Sequence, residues 1–351
     1  MPDCFPDDLQ GQKPRFPAGA KTKRIVMLNW FGKYICPIGV DLGNGFLRMA
    51  QIGFNGRRPY LHAAGIVVRP QEIEPQSPAW QRWVIDAIKE LLHKGNFKGK
   101  SVVTALPSDD LFIEQIKVPR HALEKLDEAV LPHIQKKLPF SPQDGMIRCI
   151  PVEVGPTKAG EVEVIVMAAQ RCKIDRHLAI YEKGGLDVAE MSVWPTALVN
   201  SYRHFFCRRK NDQNRVVILL DIGGHSCNVV IGRGGELLFA RVIPTGYVHL
   251  SQSQTVGRLV AEIDSCCRYF ETIAGRFPIE QILLLAGNNV SKDLCDKITK
   301  LAQKMQIPAQ IGDVLSAIEV RQEADCMVER RNSNVDWAIA FGLSLEGMGK
   351  N

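Results

Sequence analysis

Two stretches far apart in the chain share one pattern of apolar and polar positions. Val216-Val-Ile-Leu-Leu220 is a continuous apolar run that ends in Asp221, passes through Gly223-Gly224 and leaves as the alternating run Cys227 to Ile231. This predicts a buried strand, a tight turn and a returning strand, a β-hairpin. Upstream, Ile35 to Val40 ends in Asp41-Leu42-Gly43 and returns as Phe46 to Ile52. Each hairpin then meets a second turn and a third strand, Asn55-Gly56 before Tyr60 to Val68 and Gly234-Gly235 before Leu237 to Ile243. Two matching three-strand units imply a duplicated fold whose paired turns face each other across a cleft.

Between and after them the period changes to that of helices. Trp80 to His93 carries apolar residues at helical spacing, and Ser101 to Leu106 is a strand ending in Pro107-Ser-Asp109-Asp110. Leu111 to Val118 alternates as an edge strand, and His121 to Leu138 is an amphipathic helix broken by Pro139. Strands follow at 146–154 and 161–169, a helix at 171–184 and a closing strand at 186–193. Helices are expected at Thr196 to Phe206, Val256 to Ile273, Lys292 to Gln306 and Val335 to Glu346, with a strand at Gln281 to Ala286. Small residues Ala338, Ala340 and Gly342 permit close packing of the last helix at a hinge, with core packing the plainer reading. The division expected is a flexible arm over 1–24, a first lobe from 25–108 and 191–212, an α+β insertion over 109–190, and a second lobe over 213–351.

Composition adds exclusions. A chain of 351 residues can bury a sizeable core in two or more lobes. The net charge of +6 is mild and gathers before residue 35, unlike a dedicated nucleic-acid binder. Ten cysteines include no Cys-x-x-Cys, which favours reduced thiols over zinc or disulfides. No run approaches the ~18 apolar residues of a spanning helix, and Asp3, Asp7 and Asp8 precede any apolar segment, unlike a secretion signal. A cytoplasmic protein is expected. Lys21 to Lys33, with Trp30 between basic flanks, could touch an anionic membrane surface or serve as a lead-in strand.

The chemistry lies in the turns. An aspartate at a strand end beside glycines can face a Mg²⁺ ion while free turn N–H groups cradle a phosphate. Ala286-Gly287-Asn288 is a strand–glycine–helix junction of the kind where nucleotides also sit.

Taken in order, the two Asp-x-Gly hairpins, the helix from Thr196, the Gly287 loop and the small-residue helix from Ala338 resemble the actin-like ATPase superfamily. Within it the chain is similar to the PilM-type type IV pilus assembly proteins, themselves similar to FtsA. Asn29-Trp-Phe-Gly-Lys33, Ile116-Lys-Val-Pro119, Leu138-Pro-Phe140, Val164 to Ala169 and Gly184-Gly-Leu186 carry that likeness over residues 30–349. The resemblance implies an α/β, duplicated actin-like (ribonuclease H-like) two-lobed fold with an α+β subdomain inserted in the first lobe. It implies ATP and Mg²⁺ in the cleft, held by Asp41, Gly43, Asn44, Gly45, Arg48, Asp221, Gly223, Gly224, His225, Ser226, Gly287 and Asn288. Asp41 and Asp221 would face the metal through water. It implies a scaffold at the cytoplasmic face of the inner membrane, whose inserted subdomain docks the cytoplasmic tail of a PilN-like partner.

Several positions depart from the family pattern. Asn44, Gly45 and Phe46 follow Asp-x-Gly where Ser or Thr is usual, and Arg48 stands for Lys. His225 replaces a small residue and reads as a turn residue, not a base. Asn288 replaces a glycine, Ser265-Cys266 replace an Arg-Ser pair, and Met191-Ser-Val-Trp-Pro195 lacks an acid. Phosphoryl transfer depends on positioned charge and an oriented water, so these changes weaken hydrolysis sooner than binding. No residue is singled out as catalytic. An active ATPase or kinase on this fold is the alternative, with Asp109 or Asp110 as its only candidate acids. A nucleotide-free type II secretion relative is another. An FtsA-like division role would need a terminal basic amphipathic helix, which Gly347 to Asn351 does not provide.

Overall fold

The computed structural model describes residues 33–152, 160–207, 209–274, 277–286, 290–320 and 336–346. The expectations for the arm over 1–24 and for Lys21 to Gly32 lie outside the described residues, as do Gly287 and Asn288. A meander comes first: β1 (Lys33–Leu42), β2 (Phe46–Asn55) and β3 (Arg58–Val68), then α1 (Pro78–Lys94) and β4 (Ser101–Ala105). There follow β5 (Phe112–Pro119), α2 (Leu126–Ile134), β6 (Gly145–Val152), β7 (Glu161–Gln170), α3 (Arg171–Gly184), β8 (Asp187–Ser192) and α4 (Trp194–Ser201). The second meander is β9 (Val216–Ile222), β10 (Cys227–Arg233) and β11 (Glu236–Ile243), leading to α5 (Ser253–Ala274) and β12 (Gln281–Leu285). The remainder is α6 (Lys292–Lys304), β13 (Ala309–Ile311), α7 (Val314–Ala317), β14 (Glu319–Val320) and α8 (Ala338–Leu345).

The duplication is explicit in the strand order. One sheet runs β14-β3-β2-β1-β4-β8 and another β11-β10-β9-β12-β13, each an antiparallel meander extended by parallel strands. β2 and β9 are buried almost throughout because helices cover both faces of each sheet, which is why Val216 to Leu220 reads as continuously apolar, while β2 also buries Arg48 and Gln51. In the first sheet Ile38, Val40, Leu47 and Met49 pack under α1 with Trp80 and Ile88, while Ala50, Ile52 and Phe54 join the larger core. A third sheet, β5-β7-β6, is covered by α2 through Ile116, Val130, Ile134 and Val164.

The expected insertion over 109–190 is divided by the structure. Only its first part forms the separate sheet. β8 pairs in parallel with β4, and α3 packs on α1 with Gly184 against Ile88, so both belong to the first lobe. Likewise, β14 pairs with β3, and α8 packs on β1 and β2, although both fall within the stretch expected to be second lobe. The helix expected over 121–138 is shorter. Arg120–Lys125 is a 3-10 turn with no buried side chain, and α2 begins only where Val130 and Ile134 meet the sheet. Pro132 inside it removes one backbone donor, and the chain turns out after Ile134. The helix expected over 196–206 starts at Trp194, with Pro195 in its first turn, and widens into a π-type turn over Tyr202–Phe206.

The lobes are joined where α4 crosses α8. A methyl on Gly342 would fall 1.8 Å from the Ala197 carbonyl oxygen, and one on Gly39 would fall 2.0 Å from that of Ala340. Helix meets helix, and helix meets sheet, backbone to backbone. Ser344 adds a pair of hydrogen bonds, its Oγ accepting from Ile52 N at 3.0 Å and donating to Pro37 O at 2.8 Å.

Candidate nucleotide cleft

Asp41 and Asp221 occupy equivalent places, each near the end of the central strand of its sheet. Asp41 registers with Ala105 of parallel β4, and Asp221 with Leu285 of parallel β12. Each turn is closed by one backbone bond, Gly43 N donating to Phe46 O at 3.0 Å and Gly223 N to Ser226 O at 2.9 Å. The two turns meet across one cavity. Asp41, Gly43, Asn44, Gly45, Arg48, Asp221, Gly223, Gly224, His225 and Ser226 all line it. The cavity continues past Arg48, Asp221 and Tyr247 into a second chamber lined by Ile66, Val68, Ala286 and Asp336.

Across each hairpin the aspartate faces a partner. Arg48 Nη2 lies 2.8 Å from Asp41 Oδ2, and Asn228 Nδ2 donates to Asp221 Oδ2 at 2.7 Å. Burial pushes the Asp41 carboxyl above its ordinary range despite Arg48. Asp221 is pushed up to about 8 by burial and by the neighbouring Asp336, against Arg48 and Asn228. Asp336 is itself raised by burial, with Arg48 acting in the opposite sense. One guanidinium therefore serves three buried carboxyls.

Aromatic rings cover both turns. The tip of the Phe46 ring meets Gly43, where a methyl would lie 2.8 Å from its Cζ, and the Arg48 guanidinium lies over the same ring, 3.9 Å from its centroid. The Tyr247 ring lies over Gly224, its own N–H donating to Gly223 O at 3.0 Å. His225 touches His249 edge to face, ring centroids 5.8 Å apart. Among the described residues no acid is bonded to it of the kind that orients a general base.

Among the described residues, no group of three or more His, Cys, Asp or Glu side chains could hold a metal by itself. The donor set nonetheless suits a hydrated hard cation that arrives with phosphate. Asn44 Oδ1 and Asn228 Oδ1 are buried oxygens without hydrogen-bond partners. Among the described residues, Arg48 is the cationic side chain lining the cavity, and Arg69 holds the first turn from behind, its Nε donating to Asn44 O at 2.6 Å.

The sequence reading missed Asp336, Asn228 and Tyr247. Asn228 could have been found as the residue facing Asp221 across the hairpin. Asp336 carries the weaker signal of an acid just before a helix start, where its Oδ1 accepts from Ala338 N at 3.0 Å. Tyr247 sits in no recognisable pattern. Ser265 is exposed on α5, bonded to Ala261 O, and Cys266 is buried on the same helix. The described cysteines are free thiols. No helix among the described residues is long and apolar enough to cross a membrane.

A duplicated sheet, crossed helices between lobes and facing Asp-x-Gly turns define an actin-like two-lobed α/β protein. The family model described as type IV pilus assembly protein PilM matches residues 39–256, and the chain belongs to that family. A solved PilM-PilN type IV pilus biogenesis complex aligns with a TM-score of 0.69 at 22% identity, over 88% of this chain and 97% of that one. The cell division protein FtsA of Bacillus subtilis (strain 168) is 24% identical over 166 residues, 46% of this chain. The match covers 36% of FtsA, so the chain spans about a third of that relative's length. The cytoplasmic domain of EpsL, an inner membrane component of the type II secretion system of Vibrio cholerae, aligns at 10% identity with a TM-score of 0.47, over 91% of this chain and 97% of its own.

Proposed function

We propose that this chain is a nucleotide-binding scaffold of type IV pilus assembly that docks the tail of a PilN-like inner-membrane protein from the cytoplasmic side. The observation that carries the nucleotide part is the meeting of two equivalent glycine turns, each with an aspartate, across one cavity. ATP would lie with its phosphates between the turns of Asn44-Gly45 and Gly224-His225-Ser226. Its Mg²⁺ would face Asp41 and Asp221 through water. The base would occupy the chamber beside Val68 and Ala286. Slow hydrolysis is the expectation, because among the described residues Asp41 is paired with Arg48 and Asp221 with Asn228.

The partner part is supported by family membership and by the relative whose solved complex pairs PilM with PilN. The inserted sheet has two outer strands, β5 and β6, and β5 faces β11 across a groove lined by Glu114, Gln115, Arg241 and Tyr269, a place where an extended tail would bind through its main chain. A second reading is favoured by Phe46 and Tyr247 over the two turns: a clamp that keeps the fold and works without nucleotide. Calorimetry with Mg²⁺ and ATP or ADP on the wild type and on Asp221→Ala separates them. Saturable heat in the wild type, weakened in the variant, supports the scaffold that binds ATP. Silence in both leaves the nucleotide-independent clamp. Turnover above about 1 s⁻¹, in the ordinary enzyme range, would overturn both in favour of an ATPase.

A further inference from the structure

The turn between β4 and β5 is a wall with a cavity on each side. Pro107, Ser108 and Asp109 line the cleft together with the glycine turns. Asp109 and Asp110 line a separate cavity with Phe112, Phe140 and Lys173, where the inserted sheet meets the first lobe. Asp109 belongs to both.

The two acids in this wall are held differently. Asn44 Nδ2, at the tip of the first turn, donates to Asp109 Oδ2 at 2.7 Å, and the contact is exposed. Asp110 is buried and fixed, accepting from Lys173 Nζ, with Arg176 and His177 of the same helix at 3.8 and 3.6 Å. The wall is internally stiff, with Asp110 N donating to Pro107 O at 3.0 Å and Leu111 N to Ser108 O at 3.3 Å. Asp109 sits inside this closed turn, one residue before the anchored Asp110, so the turn can respond to Asp109 only as a unit pivoting on Asp110. Leu111 and Phe112, where β5 begins, lie on the far side of that pivot.

An anion arriving at the Asn44 turn competes for the Asn44 amide and places like charge beside the Asp109 carboxylate. We propose that Asp109 couples the two cavities: phosphate at the Asn44 turn releases Asp109, and the wall shift re-sets the first residues of β5 in the cavity beneath the inserted sheet. Asp109 is thus a positioning residue, neither a kinase base nor a plain turn cap. The inference rests on the nucleotide reading above and adds a direction of communication to it. A ligand in the lower cavity that holds Asp109 in place would by the same linkage oppose phosphate at the turn.

The test is hydrogen exchange by mass spectrometry on the full chain, with Mg²⁺ and a non-hydrolysable ATP analogue, alongside calorimetry on the same samples. In the wild type, exchange over Leu111 to Ile113 should change at least fivefold on binding, the lower end of ordinary coupling. Asp109→Ala should give binding heat with no change there. Asp109→Asn, which keeps an oxygen for the Asn44 amide, should restore it. Heat without an exchange change in the wild type overturns the coupling, as does an undiminished change in Asp109→Ala. No heat in the wild type removes the nucleotide reading, and the coupling falls with it.

Discussion

Arg48 closes an ion pair with Asp41 from the position directly opposite on the neighbouring strand, Nη2 to Oδ2 at 2.8 Å. The equivalent position in the second hairpin is Asn228, facing Asp221. The duplicated fold thus carries one charged and one neutral version of the same cross-strand pair. The neutral half is the one beside Asp336, so a single guanidinium must balance carboxyls from both lobes.

Removing that guanidinium should be costly. Breaking a buried pair by deleting one partner typically destabilises by about 3–5 kcal/mol. Arg48→Ala is expected to lower unfolding free energy by roughly the lower figure of that range. The loss should be greater at pH 8 than at pH 5, because the stranded carboxyls are charged at the higher pH. Urea unfolding at the two pH values, with and without the substitution, measures it.

Asp221 sets a slope on the alkaline side. Its folded carboxyl titrates above its unfolded value because burial and Asp336 disfavour the charge. The native state then binds the proton more tightly than the unfolded one. Its contribution is full below about pH 4, where an unfolded carboxyl ionises, and is lost as pH rises towards its raised folded value. Thermal unfolding followed from pH 5 to 8 should show a falling Tm in the wild type, and Asp221→Asn should flatten the fall.

Asp110 sets the opposite slope. Burial alone would raise it, but the nearby His177 imidazole and the hydrogen bond and charge of Lys173 bring it down to about 2. That stability is present above the ordinary carboxylate value and lost as pH falls through the folded one, on the order of 2 kcal/mol. Denaturant melts between pH 5 and 2 should steepen on the acid side in the wild type and lose most of that steepening in Asp110→Asn.

The crossing of α4 and α8 tolerates no added atom. Gly342→Ala would drive a methyl into the Ala197 carbonyl, and overpacking of this kind costs about 1–3 kcal/mol. The substitution should lower the urea midpoint, whereas Gly45→Ala, with open space around it, should leave the midpoint near wild type.

What could be read from the sequence was what is local. Each Asp-x-Gly hairpin declares itself within about twenty residues, because strand, turn and returning strand are contiguous. The pairing of β8 with β4 is not local. Its alternation marks a strand, but nothing in Asp187 to Ser192 names a partner on the far side of the inserted sheet, and proximity in sequence assigned it to the wrong neighbour. The helix over 121–138 was overextended because apolar spacing continues through Leu123 and Leu126 although no side chain before α2 is buried. At the site, the turn glycines and their aspartates follow from backbone requirements and so leave a mark. Asp336 reaches the cleft only because α8 is laid across the first sheet, and no spacing encodes that.

The hydrogen bond from Ile52 N to Ser344 Oγ joins a strand made early to a helix made late. A ribosome releases the chain amino end first, so the first meander emerges with one face lacking its cover. Residues 319–320, which extend the sheet beside β3, and 338–345, which seat on Gly39, come only after the second lobe has been translated. The first lobe is therefore begun first and finished last. Until α8 arrives, the Ile52 amide and the apolar face around Ala50 must wait exposed, a vulnerable interval for a nascent chain.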